Sequence, residues 1–172
     1  NKGYNTDWKG FYNSLLDTNL KLPILLVGAG GASKAIIYGL YKLGIKELIL
    51  INRTIEKANK LKDFFKTKME IIVEPFENLK DALKRSKTFI NATSIGMFGE
   101  SFNFSNEDLS NLHLIYDIVY NFTSLQEQAL ENNIKLIDGK TFWYYQAVEN
   151  LKIWGIYDEV RFYDTFVNGN FS

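Results

Sequence analysis

Cysteine is absent from the 172 residues, proline occurs twice and histidine once. Without cysteine the chain forms no disulfide and carries no thiolate nucleophile, which fits a reducing cytoplasm. No His, Cys or carboxylate grouping has metal-ligand spacing, so no metal is expected, and no Ser-His-Asp arrangement can be assembled from motifs. Charge of either sign is not in excess: 20 Lys and Arg balance 20 Asp and Glu. No net field therefore points to nucleic acid or an acidic membrane. No apolar run approaches the roughly 20 residues that span a bilayer, and no signal peptide is visible. The chain opens at Asn1 rather than methionine, which leaves room for an upstream segment. Aromatics, by contrast, reach 15% and gather toward the C-terminus.

The length suits one sizeable core with an appendage. Trp8, Phe11, Tyr12, Leu15 and Leu16 recur at helical spacing after Thr6 or Asp7 as N-cap. Apolar strands are expected at Ile24–Val27, Glu47–Ile51, Glu70–Val73, Thr88–Ala92, Leu114–Val119 and Lys135–Ile137. Helical stretches alternate with them, notably Ala35–Leu43 closed by Gly44, Glu56–Lys68, a turn and short helix over Pro75–Lys84, and Leu125–Asn132. Nearly continuous apolar strands separated by helices predict an α/β fold: a Rossmann-type, doubly wound parallel sheet with flanking helices, strand order 3-2-1-4-5-6. After Phe142 the pattern is helical, with Tyr145, Val148, Leu151 and Trp154 on one stripe, an interruption at Gly155, and a further helix over Val160–Val167.

The most informative unit is Ile24-Leu25-Leu26-Val27 running straight into Gly28-Ala29-Gly30-Gly31-Ala32-Ser33 and then a helix. A strand feeding a glycine turn into a helix N-terminus builds a pyrophosphate site. Ser33 takes the third fingerprint position, where Gly or Ala is usual. The second strand ends in Asn52-Arg53-Thr54, where NAD-binding folds place an acid that accepts from the ribose 2′-hydroxyl. A guanidinium there can instead bind a 2′-phosphate, so NADP is the expected cofactor. Thr54 and Lys57 add a hydroxyl and a charge on the same spot. The plain alternatives are an ordinary tight turn and a solvated surface arginine.

Asn91-Ala92-Thr93-Ser94-Ile95-Gly96-Met97 ends the fourth strand and Asp117-Ile118-Val119-Tyr120-Asn121 the fifth, both at the edge where such sheets bind ligands. Taken alone, either segment is equally a polar strand end, with Tyr120 half-buried. His113 could donate a proton, yet it precedes its strand, on the edge away from the ligand, and reads as structural.

Taken together these motifs cover almost the whole chain in one order and resemble the C-terminal, NADP-binding part of shikimate dehydrogenase. Asn5-Thr6-Asp7 before the first helix and Asp138-Gly139 through Gln146-Ala147 to Trp154-Gly155 complete the series. The resemblance implies an oxidoreductase that reversibly reduces 3-dehydroshikimate to shikimate with NADP, in chorismate and aromatic amino-acid biosynthesis. It implies that Asp7 is the catalytic aspartate, paired with a lysine outside this chain, and that Asp7, Tyr120 and Gln146 meet the substrate. Gly28, Ala29, Gly30, Gly31, Ala32, Asn52, Arg53, Thr54, Lys57, Thr93, Ser94 and Gly139 become the cofactor-binding set. Lys34 and Lys57 stand where arginine is common in the family, which keeps charge but loses the planar fork.

The implied organisation is a hinge segment and helix over 1–20, an NADP-binding domain over 21–138, and C-terminal helices over 139–172. Those last helices would return toward an N-terminal substrate domain that this chain lacks. Tyr144, Tyr145, Trp154, Phe162 and Phe166 would then be aromatics awaiting that lobe. Expected partners are a small-molecule substrate and the missing lobe, with neither nucleic acid nor membrane; a homodimer stays open, and the cytoplasm is the expected location. Two rivals remain: an NAD(P)-dependent quinate/shikimate dehydrogenase, and a non-catalytic NADP-binding module. For Asp7 the plain alternative is a helix N-cap.

Overall fold

Alternation of side chains decides how the sheet is clothed. In β1 (Ile24–Val27), Ile24 and Leu26 enter one apolar core and Leu25 and Val27 the other. In β2 (Glu47–Ile51), Leu48 and Leu50 likewise oppose Ile49 and Ile51. Both faces are therefore buried, the condition for an all-parallel sheet. A computed structural model describes residues 6–159 together with 162, 163 and 166. In it six parallel strands lie in the order β3-β2-β1-β4-β5-β6, as the sequence pattern predicts. The remaining strands are β3 (Glu70–Glu74), β4 (Thr88–Asn91), β5 (Leu114–Asp117) and β6 (Lys135–Ile137).

One face carries α1 (Asp7–Ser14), α2 (Gly31–Lys42) and α3 (Ile55–Phe65), with α7 (Gly139–Trp154) beside α1; Phe11, Ile36, Phe65 and Phe142 join its core. The other face carries α4 (Leu79–Lys84), α5 (Asn106–Leu109) and α6 (Ser124–Glu131) through Leu83, Leu109 and Leu125. Phe11 is fully buried with its ring 5.0 Å from that of Tyr116, so α1 belongs to the sheet's own core. Leu15 is buried beyond the end of α1, but Leu16 lies outside the helix and is 56% exposed, against its expected place on the apolar stripe.

Several boundaries differ from the sequence pattern for local reasons. Strands β4 and β5 stop at Asn91 and Asp117 rather than Ala92 and Val119. Each side chain folds forward onto the backbone two residues on, Asn91 Oδ1 accepting from Thr93 N–H at 3.0 Å and Asp117 Oδ1 from Val119 N–H at 3.2 Å. Helix α3 ends at Phe65 because Lys68 and Met69 both donate to the Phe65 carbonyl, at 2.7 and 3.0 Å, and bring Met69 into the core. Helix α7 begins at Gly139, three residues before Phe142, since Asp138 caps it by accepting from Thr141 N–H at 2.9 Å. Of the stripe expected through Tyr145, Val148, Leu151 and Trp154, Val148 is buried beside Phe142 and Glu149, whereas Trp154 is 68% exposed.

Helix α5 has no counterpart in the sequence reading, although Ser105-Asn106-Glu107-Asp108 is a capping-box signature and both of its bonds form. Of the tail aromatics, Tyr144 packs on Tyr145, Phe162 and Phe166 at centroid distances of 5.4, 5.4 and 5.0 Å, while Trp154 stays outside that cluster. The helix expected over 160–167 falls largely outside the described residues.

Candidate active site

The sheet order reverses between β1 and β4, and the crevice at their carboxyl ends is the expected ligand site. The strand ends are stitched together there. Gly28 N–H donates to the Ile51 carbonyl at 2.9 Å, Ala92 N–H to Val27 at 2.9 Å, and Ile118 N–H to Asn91 at 3.2 Å. Gly28 has φ +113°, and a Cβ there would lie 2.7 Å from the Ala92 carbonyl oxygen, so the turn out of β1 needs glycine. Gly30 and Gly31 differ: a Cβ at either would meet no protein atom within 4 Å. No side chain among the described residues fills the space beside them.

Helix α2 then starts at Gly31 with Gly30 at its N-cap and no side chain capping it, so the amides of its first turn, Ala32 among them, keep the donor capacity that anions use. Ser33 in that turn is fully buried, and its Oγ has no hydrogen-bond partner among the described residues. Such an open, uncapped glycine turn fits a dinucleotide pyrophosphate. Lys34 turns elsewhere, its Nζ 3.9 Å from the Phe64 ring centroid.

Ala29, Gly30, Asn52, Arg53, Thr54 and Lys57 line one cleft, closed on its far side by Thr93 and Ser94. Arg53, Thr54 and Lys57, the three groups expected to converge on a phosphate, thus share one cleft. Asn52 shapes the turn by donating Nδ2–H to the Thr54 carbonyl at 2.7 Å. Thr54 is the N-cap of α3 by position, but its side chain makes no capping bond. Two lining residues had no signal in the sequence. Phe76 lies under the Arg53 guanidinium, 5.7 Å from carbon to ring centroid, and Glu100 accepts from Arg53 at 3.0 Å. Phe76 opens a single 3-10 turn over Phe76–Asn78, too short for periodicity, and Glu100 comes from an irregular segment.

Behind this cleft a buried polar network fixes the β4 and β5 ends. Asp117 is fully buried and accepts from Asn91 Nδ2 at 2.9 Å, Thr123 Oγ1 at 2.8 Å, Gln126 Nε2 at 3.1 Å and the Val119 amide. Burial pushes its carboxyl above the usual range, opposed by those four donors. Thr93 is anchored by donating Oγ1–H to Asn91 at 2.6 Å. Tyr120 follows on the same edge, 48% exposed. Gly139 stands apart from the glycine-turn cleft: a Cβ there would lie 2.3 Å from the Val119 carbonyl oxygen, so it serves the packing of α7 against the β5 edge. His113 is exposed at the entry of β5, and its backbone links β4 to β6.

Asp7 and Gln146 meet. Asp7 opens α1, Gln146 lies midway along α7, and Gln146 Nε2 donates to Asp7 Oδ1, both side chains part-buried. Close helix approach permits this, since a Cβ on Gly10 would lie 2.7 Å from the Gln146 nitrogen. Asn13 Nδ2 donates to Glu149 Oε1 at 3.2 Å, and Lys9 pairs with the same carboxylate at 3.6 Å, three residues beyond Gln146 on α7. Ser14 and Tyr116 share a 2.8 Å hydroxyl bond, while burial pushes the Tyr116 hydroxyl's pKa up. A carboxylate held in place by an amide can handle a proton while a donor beside it binds hydroxyls.

This chain is similar in sequence and fold to known dehydrogenases. The shikimate dehydrogenase (NADP(+)) of Thermotoga maritima is 45% identical over 166 residues, covering 96% of this chain and 63% of the relative. The crystal structure of shikimate dehydrogenase from the same organism superposes with a TM-score of 0.88 at 43% identity, over 97% of this chain and 64% of that one. Quinate dehydrogenase from Corynebacterium glutamicum in complex with NAD superposes at 0.86 with 26% identity, over 96% and 63%. The chain thus spans less than two thirds of the length of these relatives. Residues 13–131 match the Shikimate / quinate 5-dehydrogenase family, and the chain belongs to it.

Proposed function

We propose that this chain is the cofactor half of an NADP-dependent shikimate dehydrogenase, and that the whole protein reversibly reduces 3-dehydroshikimate to shikimate. The meeting of Asp7 and Gln146 carries this reading, because two residues 139 positions apart in sequence, each expected to face the substrate, are held together by a hydrogen bond. NADPH, when bound, supplies the hydride to the ring carbonyl carbon. The carbonyl oxygen takes a proton, and Asp7, with a lysine from the lobe this chain lacks, is the group that handles it. Gln146 fixes the carboxylate and is placed to hydrogen-bond substrate hydroxyls, with Tyr120 on the neighbouring edge.

The glycine turn and the uncapped start of α2 would hold the pyrophosphate, and Arg53, Thr54 and Lys57 the 2′-phosphate. Absence of an acid at the end of β2 favours NADP over NAD, and so over an NAD-linked quinate enzyme. In this reading α1 and α7 form the base on which the substrate lobe sits, with the protein acting in the cytoplasm. No helix among the described residues is long and apolar enough to cross a membrane.

The test is NADPH oxidation by the full-length protein with 3-dehydroshikimate, run beside this chain alone. Turnover by the full-length form only is expected. Binding of NADP without turnover in either form would support a non-catalytic module instead.

A further inference from the structure

Glu100 is the one acid lining the cleft at the end of β2, among the described residues. It follows β4 by way of two left-handed glycines, Gly96 and Gly99, and its carboxylate faces Arg53 across the cleft at 3.0 Å. Asn52-Arg53 lacks the acid expected beside an unphosphorylated ribose, so this carboxylate, arriving from the opposite wall, restores that charge type to the site. Both side chains are more than half exposed, 61% for Arg53 and 58% for Glu100, so the pair is loose and an incoming anion can displace it. With Glu100 in place the cleft sets one acidic side chain against Arg53 and Lys57; without it, both basic side chains face the cleft unopposed by any other acid lining it among the described residues.

We propose that Glu100 is a specificity-determining residue: its carboxylate competes with an adenosine 2′-phosphate for Arg53 and so narrows the preference for the phosphorylated dinucleotide. The proposal rests on reading this cleft as the adenosine site of the cofactor. The phosphate must displace Glu100 from Arg53 and sit beside a like charge, whereas a free 2′-hydroxyl meets neither penalty and can donate to the carboxylate. Sequence alone offers no hint of this, because Glu100 is remote from the second strand and lies in an irregular segment.

Calorimetric titration of the full-length protein with adenosine 2′,5′-bisphosphate and with 5′-AMP separates the possibilities, using wild type, Glu100→Gln and Arg53→Ala. Glu100→Gln is expected to raise the bisphosphate-to-AMP affinity ratio by about three- to fivefold, the worth of one exposed ion pair. Arg53→Ala is expected to lower it. If Arg53→Ala collapses the ratio while Glu100→Gln leaves it unchanged, the competition is refuted and the cofactor reading stands. If wild type shows no preference for the bisphosphate and Arg53→Ala changes nothing, the cofactor reading fails and the proposal with it.

Discussion

Gln146 Nε2 donates to the Asp7 carboxylate across 139 positions of sequence, so α1 and α7 together orient a group that neither helix could hold alone. A carboxylate that is hydrogen-bonded and part-buried keeps one orientation, which is what proton transfer at a fixed carbonyl requires. Asp7→Ala in the full-length protein should lower kcat by about 10²- to 10⁴-fold, the usual worth of a positioned acid–base group. NADP affinity, measured by fluorescence titration, should stay within about twofold, because Asp7 is not among the residues lining the Arg53 cleft. Unchanged turnover would refute the catalytic assignment and leave Asp7 the simple start of a helix.

Gly10 tests the same pairing from behind. Its missing Cβ lets α1 approach the α7 backbone at Gln146, and the contact lies within one turn of Asp7. Gly10→Ala forces a shift against backbone atoms 2.7 and 2.9 Å away, which no side-chain rotation relieves. Turnover should fall by at least about tenfold through the lost alignment, and Tm should drop by several degrees. Wild-type kcat in Gly10→Ala would show that the helix spacing does not matter to the reaction.

The sheet was legible because its evidence is short-range and repeated: each strand is an apolar run, and Val27 passes directly into Gly28. That Arg53, Thr54 and Lys57 share one cleft was legible for the same reason, since all three lie within six residues of the end of β2. Helix α5 went unread although Ser105 and Asp108 spell its cap, for four residues leave no periodicity to notice. The approach of Glu100 and Phe76 to Arg53 was illegible, because it depends on how an irregular segment after β4 and a 3-10 turn after β3 come together beside the strand ends. The stripe on α7 holds only in part for a related reason: Val148 and Trp154 repeat at helical spacing, but spacing alone does not say how far along the helix a partner surface runs, and Trp154 is 68% exposed.

Asp117 is where stability and site shape meet. Its carboxylate gathers Asn91, Thr123, Gln126 and the Val119 amide, thereby fixing the ends of β4 and β5 that carry Thr93 and Tyr120. Asp117→Ala removes the acceptor and leaves several buried donors unsatisfied, at about 1–3 kcal/mol each before relaxation. A net loss on the order of 3 kcal/mol is expected, roughly a 10 °C fall in Tm for a protein of this size. Calorimetry measures it directly, and a Tm within about 2 °C of wild type would mean that water or rearrangement satisfies the network.

Asp108 gives a pH dependence of definite sign. The Ser105 amide, helped by the Ser105 hydroxyl, Lys84 and Lys80 and opposed by burial, holds its carboxyl down from 3.8 to about 2. The fold thus favours the ionised form, and the resulting stabilisation is fully present above the unfolded-state value of 3.8 and is lost as pH falls toward 2. Asp108→Asn cannot ionise and lacks that contribution at every pH. The stability gap between wild type and variant, from urea unfolding, should therefore be constant from about pH 7 to pH 5 and narrow steadily between about pH 4 and pH 2.5. Because α5 sits on the β4–β5 face away from Asp7, kcat at neutral pH should be unaffected by the same substitution. A gap that stays the same at every pH would show that Asp108 stabilises α5 by shape alone, with its charge contributing nothing.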